Sequence, residues 1–147
     1  MRDVYLGGTL TRSSRWREKE AIPTLKKHGL TFFTPSAPSR RLIPLEAAAM
    51  DNSRVLLFVI EGCARSVSAM CEAAYYIGLG ATVVLCLQKM PEDGTVSGEK
   101  LSKCALKDYN RGRCYLSDFA NREGVPVFEE VSEAVECILQ KCKSLSR

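Results

Sequence analysis

Residues 55–87 read VLLFVIEGCARSVSAMCEAAYYIGLGATVVLCL. Val55–Ile60 is an uninterrupted run of apolar β-formers, and Thr82–Leu87 is a second one. Such runs fit parallel strands covered on both faces, where neither row of side chains meets water. Between them lie a loop, Glu61–Arg65, and a helix over Ser66–Leu79 whose end is bracketed by Gly78 and Gly80. Strand, helix, strand predicts a right-handed crossover between parallel strands. From Ser66 to Gln88 the one charged side chain is Glu72. A carboxylate among Ala69, Ala73, Tyr75 and Tyr76 is costly to strip of water unless a partner or a task holds it there.

The same alternation continues outward in both directions. Val4–Leu6 is a short strand ended by Gly7-Gly8. Trp16–His28 has a ragged helical pattern closed by Gly29, with Pro23 expected to shift its start or kink it. Leu30–Phe33 is a second strand, Thr34–Arg41 a loop, and Pro44–Asn52 a short helix. Beyond Leu87, Lys89–Gly98 is a Pro/Gly-rich excursion. Two polar helices are expected near Glu99–Lys107 and Arg113–Arg122. A last strand, Val125–Phe128, precedes an amphipathic helix over Val131–Cys142. Five β-α repeats predict one α/β domain over residues 1–147. It has three layers: a five-stranded parallel sheet of flavodoxin-like order 2-1-3-4-5 with helices on both faces. Ligands of such sheets bind beyond the carboxyl ends of the strands, where the strand order reverses. That gathers the loop after strand 1, the loop Glu61–Ser66 and the loop after strand 4.

Composition narrows the classes. The seven cysteines are odd in number and form no C-x-x-C pair, which favours a reducing compartment. We expect a cytoplasmic location, with the nucleus also open. No apolar run approaches the ~20 residues of a membrane helix, and the charged start MRDVYLGG is not a signal peptide. With one histidine, His28, no metal site is expected. The net charge is +4. The basic groups Arg12, Arg15, Arg17 and Lys103, Lys107, Arg111, Arg113 do not interleave with aromatics, so nucleic acid is not the expected partner. A phosphate-bearing small molecule and a plain solvated surface both fit.

Several residues can carry chemistry, each beside a plainer role. Ser66 or Ser68 can cap the Glu72 helix, or hold an anion with the free N–H groups there. Gly7-Gly8 can approach a phosphate, or simply end a strand. Trp16 can stack on a base, or fill the core. Glu72 can complement the helix dipole, or attack the anomeric carbon of a sugar, as carboxylates of retaining glycosidases do.

The segments VYLGGT, LIPLEAAA, RVLLFVI and SAMCEAAYYIG resemble the nucleoside 2-deoxyribosyltransferase-like superfamily, from Val4 to about Cys142. The chain is similar to an animal branch related to the 2'-deoxynucleoside 5'-phosphate N-hydrolases. The resemblance implies that Glu72 is the nucleophile and that Glu46, where relatives carry aspartate, orients it or contacts the sugar. It implies substrate contacts from Tyr5, Gly8 and Ser66, beside which Gly7 and Ser68 stand as substrate-binding candidates from their own positions after the strand and at the helix start. Ser66 stands where the monophosphate hydrolases have serine and the transferases aspartate. Ser102 resembles a serine supplied to the neighbouring subunit's phosphate, which implies a homodimer. Two departures stand out: Ser68 and Met70 replace glycines of a G-x-G-x-E pattern, and Arg54 replaces an acid.

Two functions follow as expectations, and neither requires a cofactor. One is cleavage of the N-glycosidic bond of a 2'-deoxynucleoside 5'-monophosphate, by hydrolysis or deoxyribosyl transfer. The other is a catalytically weak or inactive nucleotide-binding or interaction domain of a larger signalling protein. The partner expected in either case is a small nucleotide or nucleoside.

Overall fold

A computed structural model describes residues 1–36 and 38–145. Strands β1 (Arg2–Gly8), β2 (Phe32–Phe33), β3 (Ser53–Ile60), β4 (Val83–Leu87) and β7 (Val127–Phe128) form one parallel sheet in the order β2-β1-β3-β4-β7. Counting sheet strands alone, this is 2-1-3-4-5, as the alternation of elements predicts. Its register pairs Gly7 with Phe58, Gly8 with Val59 and Leu57 with Val84.

Two separate cores explain why β3 and β4 carry no polar residue from Val55 and Val83 onward. Val4, Leu6, Val55, Leu57, Val59, Val84 and Cys86 point to one face. There they meet Leu25 of α1 (Ile22–Lys27) and Val131, Val135 and Ile138 of α5 (Val131–Leu145). Tyr5, Leu56, Phe58, Ile60, Val83 and Leu85 alternate to the other face. They meet Met50 of α2 (Pro44–Asp51), Ala73 and Ile77 of α3 (Val67–Gly78), and Leu116 and Ala120 of α4 (Lys103–Arg122). The two-residue period of a strand thus buries every side chain once both faces are covered.

Several boundaries differ from the sequence reading. β1 runs through Gly7 and Gly8 instead of stopping before them. A Cβ on Gly8 would lie 2.1 Å from the Val59 carbonyl oxygen, and one on Gly7 would lie 2.6 Å from the Phe58 ring. These glycines let β1 and β3 and their aromatic layer close together.

The helix expected over Trp16–His28 is two pieces. A π-helical turn, Arg17–Ala21, ends with the Ile22 N–H donating to the Arg17 carbonyl. That offset puts Pro23 in the first turn of α1, where its missing N–H is not needed. The excursion after β4 contains a hairpin, β5 (Thr95–Val96) with β6 (Glu99–Lys100). Its turn residues Ser97 and Gly98 both have positive φ, 51° and 78°, as a two-residue hairpin turn requires.

The two polar helices expected after it are one. α4 continues through Gly112, which faces α3: a Cβ there would lie 3.2 Å from the Met70 terminal methyl carbon. Among the described residues none of the seven cysteines is joined in a disulfide, and no helix is long and apolar enough to cross a membrane.

Candidate functional site

The loops after β1 and β3 meet at the carboxyl edge of the sheet, and Thr9 joins them. Thr9 is 1% exposed. Its N–H donates to the Val59 carbonyl at 2.8 Å, and its hydroxyl accepts from the Glu61 N–H at 2.9 Å. The same hydroxyl lies 2.8 Å from the Ser66 hydroxyl. Ser14, further along the first loop, donates to the Glu61 carboxylate. Ser66 precedes α3 in left-handed backbone, φ 54° and ψ 33°, and its side chain does not cap the helix. The expected capping role is therefore absent, because that backbone turns the hydroxyl towards Thr9. Thr9 has one proton to give. The Val59 carbonyl lies 3.3 Å from its hydroxyl and the Ser66 oxygen 2.8 Å, and either hydroxyl can donate in the Thr9–Ser66 contact.

Two buried guanidinium groups hold this edge. Arg17, 5% exposed, donates to the carbonyls of Leu6 at 3.0 Å and Thr9 at 2.7 Å and lies 4.2 Å above the Trp16 ring. Burial lowers its pKa to about 10, opposed by the nearby Tyr5, Glu18, Glu61 and Glu46, so it stays charged at neutral pH. Arg113 of α4, 1% exposed, donates to the carbonyls of Gln88 at 2.8 Å, Glu61 at 3.0 Å and Ala64 at 2.7 Å. One side chain thereby fixes the loop that leads into α3 against the end of β4. No ion pair with a carboxylate reaches either arginine among the described residues. Full hydrogen bonding to carbonyl dipoles is what makes such burial tolerable.

Glu72 stands in the second turn of α3, half-buried. No hydrogen bond or ion pair reaches its carboxylate among the described residues. Burial raises its pKa, and the charge of Glu46 raises it further. Glu46, in the first turn of α2, accepts from the N–H of Ser36 at 3.1 Å and from its hydroxyl at 3.3 Å. Tyr5 on β1 is 1% exposed and stacks on Phe33, ring centres 5.6 Å apart. Its phenol is pushed well above its ordinary range by burial first, then by Glu72 and Glu46. The three groups therefore share one electrostatic neighbourhood on the α2–α3 face of the sheet. Tyr76 donates to Asp51 at 2.7 Å, and Tyr75 is exposed, which leaves Tyr5 as the buried phenol coupled to both acids.

The other expected residues scatter. Gly7 and Gly8 lie inside β1, against Phe58 and Val59. Ser68 is exposed in the first turn of α3. Met70 turns to α4, its sulfur 3.9 Å from the Arg113 guanidinium, and so away from the side that Glu72 faces with Tyr5. Ser102 caps α4, its hydroxyl accepting from the Ala105 N–H at 3.1 Å. Trp16 belongs to the core beside α1, and its indole N–H has no hydrogen-bond partner. Two hollows of about 410 and 310 Å³ open at the amino-terminal end of the strands. Arg2, Phe33 and Leu45 line one, and Met50, Tyr76 and Thr82 the other; neither reaches Glu72. No group of three or more His, Cys, Asp or Glu is disposed to hold a metal ion among the described residues.

Thr9, Arg17 and Arg113 escaped the sequence reading. A signal existed for both arginines. Arg17 shares a helical face with Ala21 and Leu25, and Arg113 with Leu116 and Ala120, so each lies on an apolar stripe.

Comparison with known proteins agrees with this layout. In fold the chain is similar to the TIR domains of the activated Roq1 resistosome, which directly recognises the pathogen effector XopQ. The identity is 16% and the TM-score 0.59, over 95% of this chain and 98% of that one. It is similar in the same way to a conserved protein from Enterococcus faecalis V583, at 12% identity and a TM-score of 0.59, over 96% of this chain and 99% of that one. No curated protein matches it in sequence. The family described as nucleoside 2-deoxyribosyltransferase-like matches residues 1–90, which hold Tyr5, Glu46, Ser66 and Glu72. With more than half of its length matched, the chain belongs to the nucleoside 2-deoxyribosyltransferase-like family.

Proposed function

We propose that the protein cleaves the N-glycosidic bond of a 2'-deoxynucleoside 5'-monophosphate, with Glu72 as nucleophile. One observation carries the reading: a half-buried carboxylate with no cation on it, coupled to a second acid, Glu46, and to a buried phenol, Tyr5. A Glu72 oxygen forms a bond to C1' as the C1'–N bond breaks, and the base leaves with the electron pair and gains a proton from water. Water then adds its hydroxyl to C1', releases the carboxylate and loses its other proton to solvent. If a second base attacks in place of water, its ring nitrogen bonds C1' and sheds its proton.

The Ser66 hydroxyl, oriented by Thr9, and the N–H groups opening α3 suit the 5'-phosphate. Ser68, exposed in the first turn of α3, serves it as a hydroxyl donor, and Gly8 ends β1 just before Thr9. Ser102 acts on the phosphate of a second subunit in a homodimer. As a cap its hydroxyl accepts, so its own proton remains to donate.

A second reading has its own support. Glu72 has a raised pKa and no hydrogen-bond donor among the described residues, which suits a domain that binds a nucleotide and turns it over slowly or not at all. The similar TIR fold belongs to an activated assembly, which fits an interaction role.

One experiment separates them. The protein is incubated with each deoxynucleoside monophosphate and free base is measured by chromatography, with Glu72→Ala as control. Release that disappears in the variant supports the enzyme. No release from either rejects it for those substrates, and a thermal shift with nucleotide then supports the binding domain. Sedimentation tests the dimer: a strict monomer at micromolar concentration removes the role given to Ser102.

A further inference from the structure

The rim above this site is more basic than one phosphate requires. The loop between β1 and the π-helical turn carries Arg12 and Arg15 and no acid. The loop between β2 and α2 carries Arg40 and Arg41 and no acid. All four are exposed. β1 and β2 are parallel neighbours, so both loops leave the same edge of the sheet side by side. The first is tied through Thr9 to Ser66, which opens α3, and through Ser14 to Glu61; the second is tied through Ser36 to Glu46, whose charge acts on Glu72.

Four arginines on two short loops match the chain's net charge in size. The chain has 21 Lys and Arg against 17 Asp and Glu; without these four arginines the counts are equal. The two adjoining loops thus carry four positive charges and no acid of their own. The ion pairs among the described residues use Arg54, Arg65 and Arg111 and none of these four. Beneath the first loop, Arg17 adds a buried positive charge, hydrogen-bonded to carbonyls and with Glu18, Glu61 and Glu46 nearby. Of the acids of the site, Glu61 and Glu46 are each engaged by a serine of these loops, Ser14 and Ser36, and Glu72 lies on α3.

We infer that the rim binds a chain of phosphates, and that the preferred ligand is a deoxynucleoside polyphosphate. The inference rests on the nucleotide reading above and extends it. The first phosphate takes the Ser66 hydroxyl and the α3 N–H groups, and the further ones reach the arginine forks, which match phosphate oxygens in pairs. Summed like charge on one rim also raises the local concentration of a polyanion. The rim favours a phosphate chain over a nucleic-acid strand. Among the described residues of the two loops the one aromatic is Trp16, which is buried, so there is no exposed surface for successive bases to stack on.

The test is calorimetric titration of the full chain with each deoxynucleoside monophosphate and triphosphate, with inorganic tripolyphosphate, and with a single-stranded deoxyoligonucleotide. The unaltered protein is compared with the quadruple variant Arg12→Gln, Arg15→Gln, Arg40→Gln, Arg41→Gln. We expect the triphosphate to bind about ten-fold more tightly than its monophosphate at low salt, the advantage shrinking near about 0.5 M salt. In the variant the advantage falls to within about two-fold while monophosphate affinity holds, since surface changes leave the fold intact. Equal affinities in the unaltered protein, an advantage that survives in the variant, or tighter binding of the oligonucleotide would each overturn the inference. Binding of tripolyphosphate with no nucleotide binding keeps the phosphate-chain rim and rejects the nucleotide reading. Binding of neither rejects both.

Discussion

The hydroxyls of Thr9 and Ser66 lie 2.8 Å apart, joining the loop after β1 to the residue that opens α3. Thr9 is buried and its hydroxyl also receives the Glu61 N–H. Thr9→Val keeps the shape and removes both contacts. It should destabilise the protein by about 1–3 kcal/mol and weaken nucleotide binding more than nucleoside binding. Thr9→Ser should restore most of both. Urea denaturation and paired titrations with deoxynucleoside and monophosphate decide this. Equal loss for the two ligands removes the phosphate role of Ser66.

Arg113 makes a comparable test at the other loop. Arg113→Met retains apolar bulk on α4 and leaves the carbonyls of Glu61, Ala64 and Gln88 without their donor. We expect a loss of about 3 kcal/mol in a denaturant midpoint analysis, with the 61–65 loop becoming the first site of protease cleavage. A midpoint within error of the parent would show that the clasp is dispensable.

Glu72 gives a stability prediction with a definite sign. Its folded-state pKa is raised, by burial and then by Glu46. The contribution of the protonated form is thus fully present below the ordinary carboxylate range and is lost as pH rises through the raised value. Glu72→Gln should therefore be more stable than the parent at neutral pH, the gap narrowing near about pH 4. In the base-release assay the same variant should lose about 10³-fold or more. A less stable variant at neutral pH contradicts the burial argument even if activity is lost.

Glu46 acts on that carboxylate through its charge. Glu46→Gln keeps a side chain able to accept from Ser36 and removes the negative charge. The acid limb of the pH–rate profile should move to lower pH, because Glu72 then ionises more readily. A limb that stays in place means the two carboxylates do not communicate in the working enzyme.

Much of the architecture was legible because of one pattern. VLLFVI and TVVLCL have no polar row, which only a sheet covered on both faces permits, and the helices between them follow from the 3.6-residue spacing. Edges were less legible. Gly7-Gly8 and Gly112 look like breakers along the chain, yet each is a point where a second element comes close, Val59 in one case and Met70 in the other. Such contacts lie in the third dimension, out of reach of local pattern. Of the candidate site, Glu72, Glu46 and Tyr5 were named from motif resemblance, and each of the two acids acts electrostatically on the Tyr5 phenol. Thr9 was missed because a threonine after a strand is unremarkable until its partners are known. Arg17 and Arg113 were missed because charge was read as solvent-facing, whereas here backbone carbonyls replace the water.

The segment that matches the family ends at residue 90, whereas the guanidinium that gathers Glu61, Ala64 and Gln88 arrives from residue 113. The family-matched part is thus not a transplantable module. A chimera that grafts residues 1–90 onto a foreign tail inherits the acids but loses the fastener behind them, and it will require a cation delivered from its new helix before the approach to α3 takes shape.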